Sequence, residues 1–209
     1  MLLHGYELRM KNILVIVGHP DPGSFTARLA EAYVQAARGA AHVERIDLAE
    51  LVFDPILRTG YRVAQPLEPD LVRVREAIER ADHVAWFFPT WWAAPPALVK
   101  GFIDRTFLPG WAFAYGKSAI PDKLLRGRSA RFVTTMDSPA FWYALVHRWA
   151  LHGSFVHATL AFVGFAPIRA TTFYGVRTMT DAARTKAIAR MASEGRKDAA
   201  GPGRTRSRV

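Results

Sequence analysis

The chain contains no cysteine. Disulfides, thiolate-held zinc or iron–sulfur clusters and thiol nucleophiles are therefore excluded, and redox chemistry has to be carried by a bound cofactor. Long unbroken apolar runs are also missing. The stretch 83–99 is interrupted by Pro89, Pro95 and Pro96, and 155–168 is short and holds His157, whereas a membrane-spanning helix needs about 20 apolar residues. The first eleven residues carry Glu7, Arg9 and Lys11 in place of a signal peptide's apolar core, so the expected location is cytoplasmic. Acidic residues are scarce, 18 against 28 Lys and Arg, for a net charge of +10. Five of the basic residues, Arg196, Lys197, Arg204, Arg206 and Arg208, crowd into the last fifteen positions, which read as a disordered tail over 195–209. The others are scattered and form no helix-turn-helix, zinc-finger or RNP pattern, so no nucleic-acid partner is expected.

What is present is a chain of 209 residues, half of them apolar, which is the size and composition of one domain, placed at 1–194. The run NILVIV at 12–17 has the unbroken β-branched character of a strand buried on both faces. Ser24 caps a helix to Ala37 with Leu29, Tyr33 and Ala37 at helical spacing. Further strands are expected at 42–47, 83–88, 128–135 and 168–173. Helices are expected at 69–80, 97–107 and 181–193, and 141–162 is predominantly helical. Strands alternating with helices give an α/β fold, a doubly wound five-stranded parallel sheet with helices on both faces.

In such a sheet a ligand binds beyond the carboxyl ends of the strands. Three loops lie there. The first, GHPDPGSFT, is neither a G-x-G-x-x-G nor a P-loop, but it leads into a helix whose first N–H groups favour an anion. Ser24 is either a phosphate ligand or only a cap. The second, PTWWAAPP, sets Trp91 and Trp92 where they stack a planar ligand or pack in the core. The third runs from Thr134 to Tyr143. Lys100 and Asp104 are spaced as a surface pair. His147, His152 and His157 recur every five residues, which on an α-helix separates neighbours by about 140°, so no metal site is expected.

The block HPDPGSFTARLAEAY, followed some sixty residues on by FPTWWAAPPALVKGFIDRTFLPGWAFAY, resembles the flavodoxin-like NAD(P)H:quinone oxidoreductase family over roughly 12–138. The resemblance implies a flavodoxin-like fold and a non-covalent flavin, FMN or FAD, as cofactor. It further implies two-electron (hydride) transfer by a ping-pong scheme from NAD(P)H through the flavin to a quinone or related small-molecule acceptor, in a homodimer. His19, Ser24, Phe25 and Thr26 fall on the family's flavin-phosphate loop, and Pro89, Thr90, Trp91, Trp92 and Ala93 on its isoalloxazine loop. Where the family commonly has Thr-Thr-Gly-Gly, this chain has Thr134, Thr135, Met136 and Asp137, which replaces close-approach backbone with a carboxylate. Tyr143 and His147 stand where some members handle protons on the reduced flavin. In the competing reading this is an ordinary amphipathic helix with Trp142 and Trp149 in the core. Trp92, Phe113 and Tyr115 are expected to wall the substrate pocket. Two alternatives accompany this reading: a flavoprotein regulatory subunit of a membrane potassium-efflux system, with a peripheral membrane-protein partner, and a flavodoxin-type electron carrier.

Overall fold

The structure, a computed structural model, describes residues 9–116 and 120–203. Its elements in chain order are β1 (Lys11–Val17), α1 (Phe25–Ala37), β2 (Ala41–Asp47), α2 (Pro69–Arg80), β3 (His83–Pro89), α3 (Ala97–Thr106), β4 (Phe113–Ala114), β5 (Asp122–Lys123) and β6 (Ser129–Thr135). There follow α4 (Ala140–Leu145), a π-helix (His152–Ala161), β7 (Ile168–Phe173) and α5 (Asp181–Ala199). The main sheet has the order β2-β1-β3-β6-β7 with every pairing parallel. This is the flavodoxin-like order, with the connection reversing direction between β1 and β3. β4 and β5 form a separate two-stranded antiparallel pair.

Alternation along the central strands fills two cores. Leu14 and Ile16 of β1 and Val84, Trp86 and Phe88 of β3 meet α2, α3 and the π-helix on one face. Ile13, Val15 and Val17, with Ala85 and Phe87, meet α1 and α5 on the other. Strands covered on both faces have no polar side to display, which is why their sequences read as unbroken apolar runs. Among the described residues no helix is long and apolar enough to cross a membrane.

Two expectations need correction. The tail expected from residue 195 is helical as far as Ala199, so the domain extends past its expected end at 194. Gly195 packs so closely on α1 that a Cβ there would run into the Tyr33 carbonyl. Asp198 is buried and joins a cluster with Arg131 (Nη2 to Oδ1, 3.1 Å), Tyr33 (Oη to Oδ2, 2.9 Å) and His83 (Nε2 to Oδ2, 3.3 Å). Lys11 donates to the Asp198 and Ala200 carbonyls. Arg204, Arg206 and Arg208 lie outside the described residues. The second correction concerns 141–162, which is not one helix. α4 stops at Leu145, Arg148 and Trp149 turn through φ of 46° and 56°, and the helix restarted beyond them winds as a π-helix.

Burial alone would raise the Asp198 carboxyl, but hydrogen bonds and charge from His83 and Arg131 outweigh it and hold the group well below the usual carboxylate range. A depressed folded pKa contributes stability that is present above the unfolded value of about 4 and is lost as pH falls below it. Asp198→Ala leaves the Arg131 guanidinium short of its main buried partner and is expected to cost about 3 kcal/mol at pH 7. Urea unfolding at pH 7 and pH 3 checks this: the difference between wild type and variant shrinks at the lower pH. An undiminished difference would contradict the assignment.

Candidate functional site

The three loops at the carboxyl edge are bound to each other by threonine hydroxyls. Thr26 Oγ1 lies 2.8 Å from Thr135 Oγ1, joining the start of α1 to the end of β6. Thr90 Oγ1 lies 2.8 Å from Thr134 Oγ1, and the Thr90 N–H donates to the Thr135 carbonyl at 2.8 Å. Thr26, Thr134 and Thr135 are buried, so their hydroxyls knit the loops together.

Within the first loop the Asp21 N–H donates to His19 Nδ1 at 3.0 Å and the Gly23 N–H to Asp21 Oδ1 at 2.8 Å. A donor on Nδ1 leaves the His19 proton on Nε2, and partial burial keeps the ring below its ordinary pKa despite Asp21. Ser24 does cap α1, accepting from the Ala27 N–H at 3.2 Å. The N–H groups of Phe25 and Thr26, first in the helix, have no intrahelical acceptor. His19, Ser24, Phe25, Thr26, Pro89, Thr90, Trp91, Thr135, Met136 and Asp137 all line one cavity of about 250 Å³.

The second loop is a hairpin closed by two bonds, Trp91 N–H to Ala94 O at 3.0 Å and Ala94 N–H to Trp91 O at 2.9 Å. Its two central residues, Trp92 and Ala93, have φ of 52° and 58°. Such a turn ordinarily takes Asn-Gly, and a bulky residue at positive φ is uncommon. Trp92 is 100% exposed. Among the described residues the Trp92 and Ala93 N–H groups have no protein acceptor. Strain of this kind, kept where the chain opens to solvent, is a mark of a binding site. Trp91 meets the His19 ring edge-on at 5.8 Å between centroids. Neither tryptophan is in the core.

A second cavity of about 380 Å³ adjoins the first and shares Thr90, Trp91, Met136 and Asp137 with it, adding Trp92, Ala93, Ser138, Tyr143 and His147. Asp137 is partly occupied, accepting the Arg177 N–H at 2.7 Å. Tyr143 and His147 thus reach the same cavity but are not hydrogen-bonded to each other; their rings lie 6.2 Å apart. Trp142 and Trp149 stay partly exposed, contrary to the amphipathic-helix alternative.

The partner of Tyr143 is His152, a residue whose role sequence reasoning missed. Tyr143 Oη accepts the Leu151 N–H at 3.1 Å and lies 3.0 Å from His152 Nδ1. Its own proton then points to Nδ1, and His152 Nε2–H faces Thr172 Oγ1 at 3.1 Å. Burial, with His157 adding to it, holds His152 below its ordinary pKa, and burial pushes the Tyr143 phenol up. The five-residue histidine spacing was the available signal. An α-helical wheel sets those residues apart, but i→i+5 winding over His152–Ala161 brings His152 and His157 toward one face, while His147 lies before the turn at Arg148 and Trp149. Among the described residues no group of three metal-ligating side chains occurs.

Phe113 and Tyr115 are not beside Trp92 within this chain. They line a separate cavity of about 360 Å³ between α3 and the π-helix, with Ile103, Phe107, Phe155 and Phe162. On its rim Lys100 pairs with Asp104 at 2.6 Å, as spaced.

Comparison with known proteins agrees with this architecture. The model of a family described by its flavodoxin-like fold matches residues 11–195. NAD(P)H dehydrogenase [quinone] 1 of Cavia porcellus is 27% identical over 209 residues, covering 86% of this chain and 74% of that protein. The glutathione-regulated potassium-efflux system ancillary protein KefF of Enterobacter sp. (strain 638) is 28% identical over 123 residues, 59% of each chain. A crystal structure of an FMN-dependent NADH-azoreductase from Bacillus anthracis str. Ames Ancestor in complex with FMN has a TM-score of 0.68 over 90% of this chain and 97% of that one. At 16% identity that likeness is of fold alone.

The strain in the tryptophan turn is measurable. Replacing Trp92-Ala93 by Asn-Gly removes two unfavourable φ values at about 1 kcal/mol each, so thermal unfolding should show a gain of about 1–2 kcal/mol. A loss of stability would mean that Trp92 packs more than its full exposure indicates.

Proposed function

Since the chain belongs to the flavodoxin-like fold family, we propose that it is a flavin-dependent NAD(P)H oxidoreductase of the quinone-reductase type. The observation that carries this reading is the convergence of unpaired N–H groups and an aromatic turn on one crevice at the β1/β3 switch point. The N–H groups of Phe25 and Thr26, with the Ser24 hydroxyl and His19 Nε2–H, suit a flavin phosphate. The N–H groups of Trp92 and Ala93 suit the polar edge of a ring system, and Trp91 flanks it. The residues therefore fit a flavin nucleotide, FMN or FAD. When bound, it supplies two-electron transfer between NAD(P)H and a quinone or related acceptor. The guinea-pig relative is named for that activity, and the azoreductase of like fold holds FMN.

The chain's own residues position and buffer. Neutral donors dominate the crevice, and Asp137, half-satisfied by Arg177, is the carboxylate that sets this chain apart from the glycine-rich loop of the family it resembles. Tyr143 Oη and His152 Nδ1 hold the proton that two-electron reduction of a quinone requires, with Thr172 steadying the imidazole from behind. His147, on the same cavity wall, orients the acceptor. The homodimer implied by the resemblance gives Phe113 and Tyr115 a use: their cavity between α3 and the π-helix is the face we assign to the second copy, whose crevice they help to enclose. A cysteine-free chain fed by NAD(P)H fits the cytoplasm. The KefF relative favours a second reading as an ancillary subunit of an efflux system, which copurification with a membrane protein would reveal.

The test is steady-state kinetics with NADPH or NADH and a soluble quinone on flavin-loaded protein. Parallel double-reciprocal lines are expected. Tyr143→Phe should lower kcat about 100-fold with flavin affinity unchanged. His152→Gln should abolish the acidic limb of the pH–rate profile, a limb that lies below about pH 6.5 because burial depresses His152. Intact activity in both variants would remove the pair from the reaction, and absence of turnover with either donor would remove the reductase reading.

A further inference from the structure

The two adjoining cavities at the carboxyl edge are lined by one carboxylate, Asp137, and by no Lys or Arg; the rest of the lining is imidazole, indole, phenol, hydroxyl and apolar. Hydrogen bonds fix its place. Oδ1 accepts the Arg177 N–H at 2.7 Å, and the backbone beside it is tied to the end of β7, Met136 N–H to Phe173 O at 2.9 Å and Val176 N–H to Met136 O at 3.2 Å. Among the described residues no Lys, Arg or His side chain pairs with this carboxylate. The ionisable groups around it are turned to other partners. Arg184 donates to the Val176 carbonyl at 2.7 Å and lies over the Phe25 ring, 4.9 Å from its centroid. His19 accepts the Asp21 N–H and meets Trp91 edge-on. Tyr143 is held by His152, with the His147 ring 6.2 Å from its own, and Arg177 is exposed.

Asp137 also stands where the cofactor has to pass. Phe25 and Thr26, whose N–H groups suit the flavin phosphate, line only the first cavity; Trp92 and Ala93, whose N–H groups suit the ring edge, line only the second. A flavin that uses both crosses the part they share, which is walled by Thr90, Trp91, Met136 and Asp137. Hydride from NAD(P)H brings two electrons and one proton to the ring, leaving it with one negative charge as NAD(P)+ departs, and one further proton from water makes the reduced ring neutral. A carboxylate beside the ring raises the energy of the anionic form, favours uptake of that proton and makes reduction less favourable than the surrounding N–H groups alone would make it. Enclosure by the second copy proposed above excludes water and strengthens the effect.

We propose that Asp137 sets the redox poise of this site: its charge keeps the reduced flavin protonated and lowers its potential, which makes the reduced protein a stronger donor and widens the range of acceptors it can reduce. This role rests on the flavin reading of the crevice.

FMN-loaded wild type and Asp137→Asn are titrated anaerobically against redox dyes of known potential over a range of pH. Asparagine keeps an oxygen for the Arg177 N–H and removes only the charge. At a fixed dye potential the ratio of reduced to oxidised flavin should rise at least about tenfold in the variant, a shift of about 30 mV for a two-electron couple. The pH at which the potential changes slope, where the reduced ring loses its proton, should fall by about one unit, and the absorbance of the reduced flavin should report the same change. Glu44→Gln removes an equal charge from β2, outside both cavities, and should leave both readings unchanged. Asp137 is exposed, so the circular dichroism spectrum should be preserved; Asp137→Ser is the second variant and must move both readings in the same direction. Unaltered or lower potentials in the Asp137 variants overturn the assignment, as does an equal shift in Glu44→Gln. Wild type that quenches no FMN fails before any potential is read, which removes the flavin reading and this role with it. Wild type that binds FMN at a potential indifferent to Asp137 leaves the flavin reading intact and removes only the role given to Asp137.

Discussion

Strand β3 is confined on four sides. All seven of its residues are buried, β1 and β6 pair with its two edges, and helices cover both faces. A segment so enclosed cannot slide without moving Trp86, Phe87 and Phe88 out of their packing. Its carboxyl end therefore delivers Thr90 and the Trp91–Ala94 turn to a fixed place. Because that anchor is rigid, the turn can hold two residues at positive φ, and the threonine pairs Thr26–Thr135 and Thr90–Thr134 extend the same rigidity to the neighbouring loops. The crevice depends on this one strand more than on any residue inside it.

Much of the fold is legible in the sequence for the same reason. A strand buried on both faces appears as an unbroken apolar run, and β1 and β3 do so within a residue of their observed ends. β7 is found between its turn residues. Ser24 as cap and Pro69 at the start of α2 mark helix beginnings by local chemistry alone. The candidate flavin loops are legible too, because they follow those strands directly.

The rest depends on partners distant in sequence or on an unusual winding. The composition of 195–199 is that of a loose tail, yet Gly195 is small because α5 must approach Tyr33, and Asp198 is charged because Arg131, 67 residues away, needs it. Neither requirement shows locally. His152 escapes notice because a helical reading runs straight through 141–162, whereas the turn at Arg148 and Trp149 folds the chain back and brings His152 to Tyr143. Phe113 and Tyr115 share an aromatic character with Trp92 but are carried to another side of α3, a separation only the three-dimensional path reveals.

Charge is also divided along the sheet axis. The ion pairs buried around Asp198 lie toward the amino end of the strands, while the crevice at the carboxyl end is lined by amide N–H groups, hydroxyls, imidazoles and indoles, with Asp137 as its carboxylate. Fixed donors of this kind suit the phosphorylated flavin proposed for the crevice. The most direct test is a fluorescence titration of FMN with the protein, set beside riboflavin, which lacks the phosphate. The account predicts quenching at one flavin per chain and riboflavin bound at least about 100-fold more weakly, in line with charge-assisted bonds at the start of α1. Equal affinity for the two would contradict the phosphate assignment, and no quenching by FMN or FAD would contradict the flavin site itself.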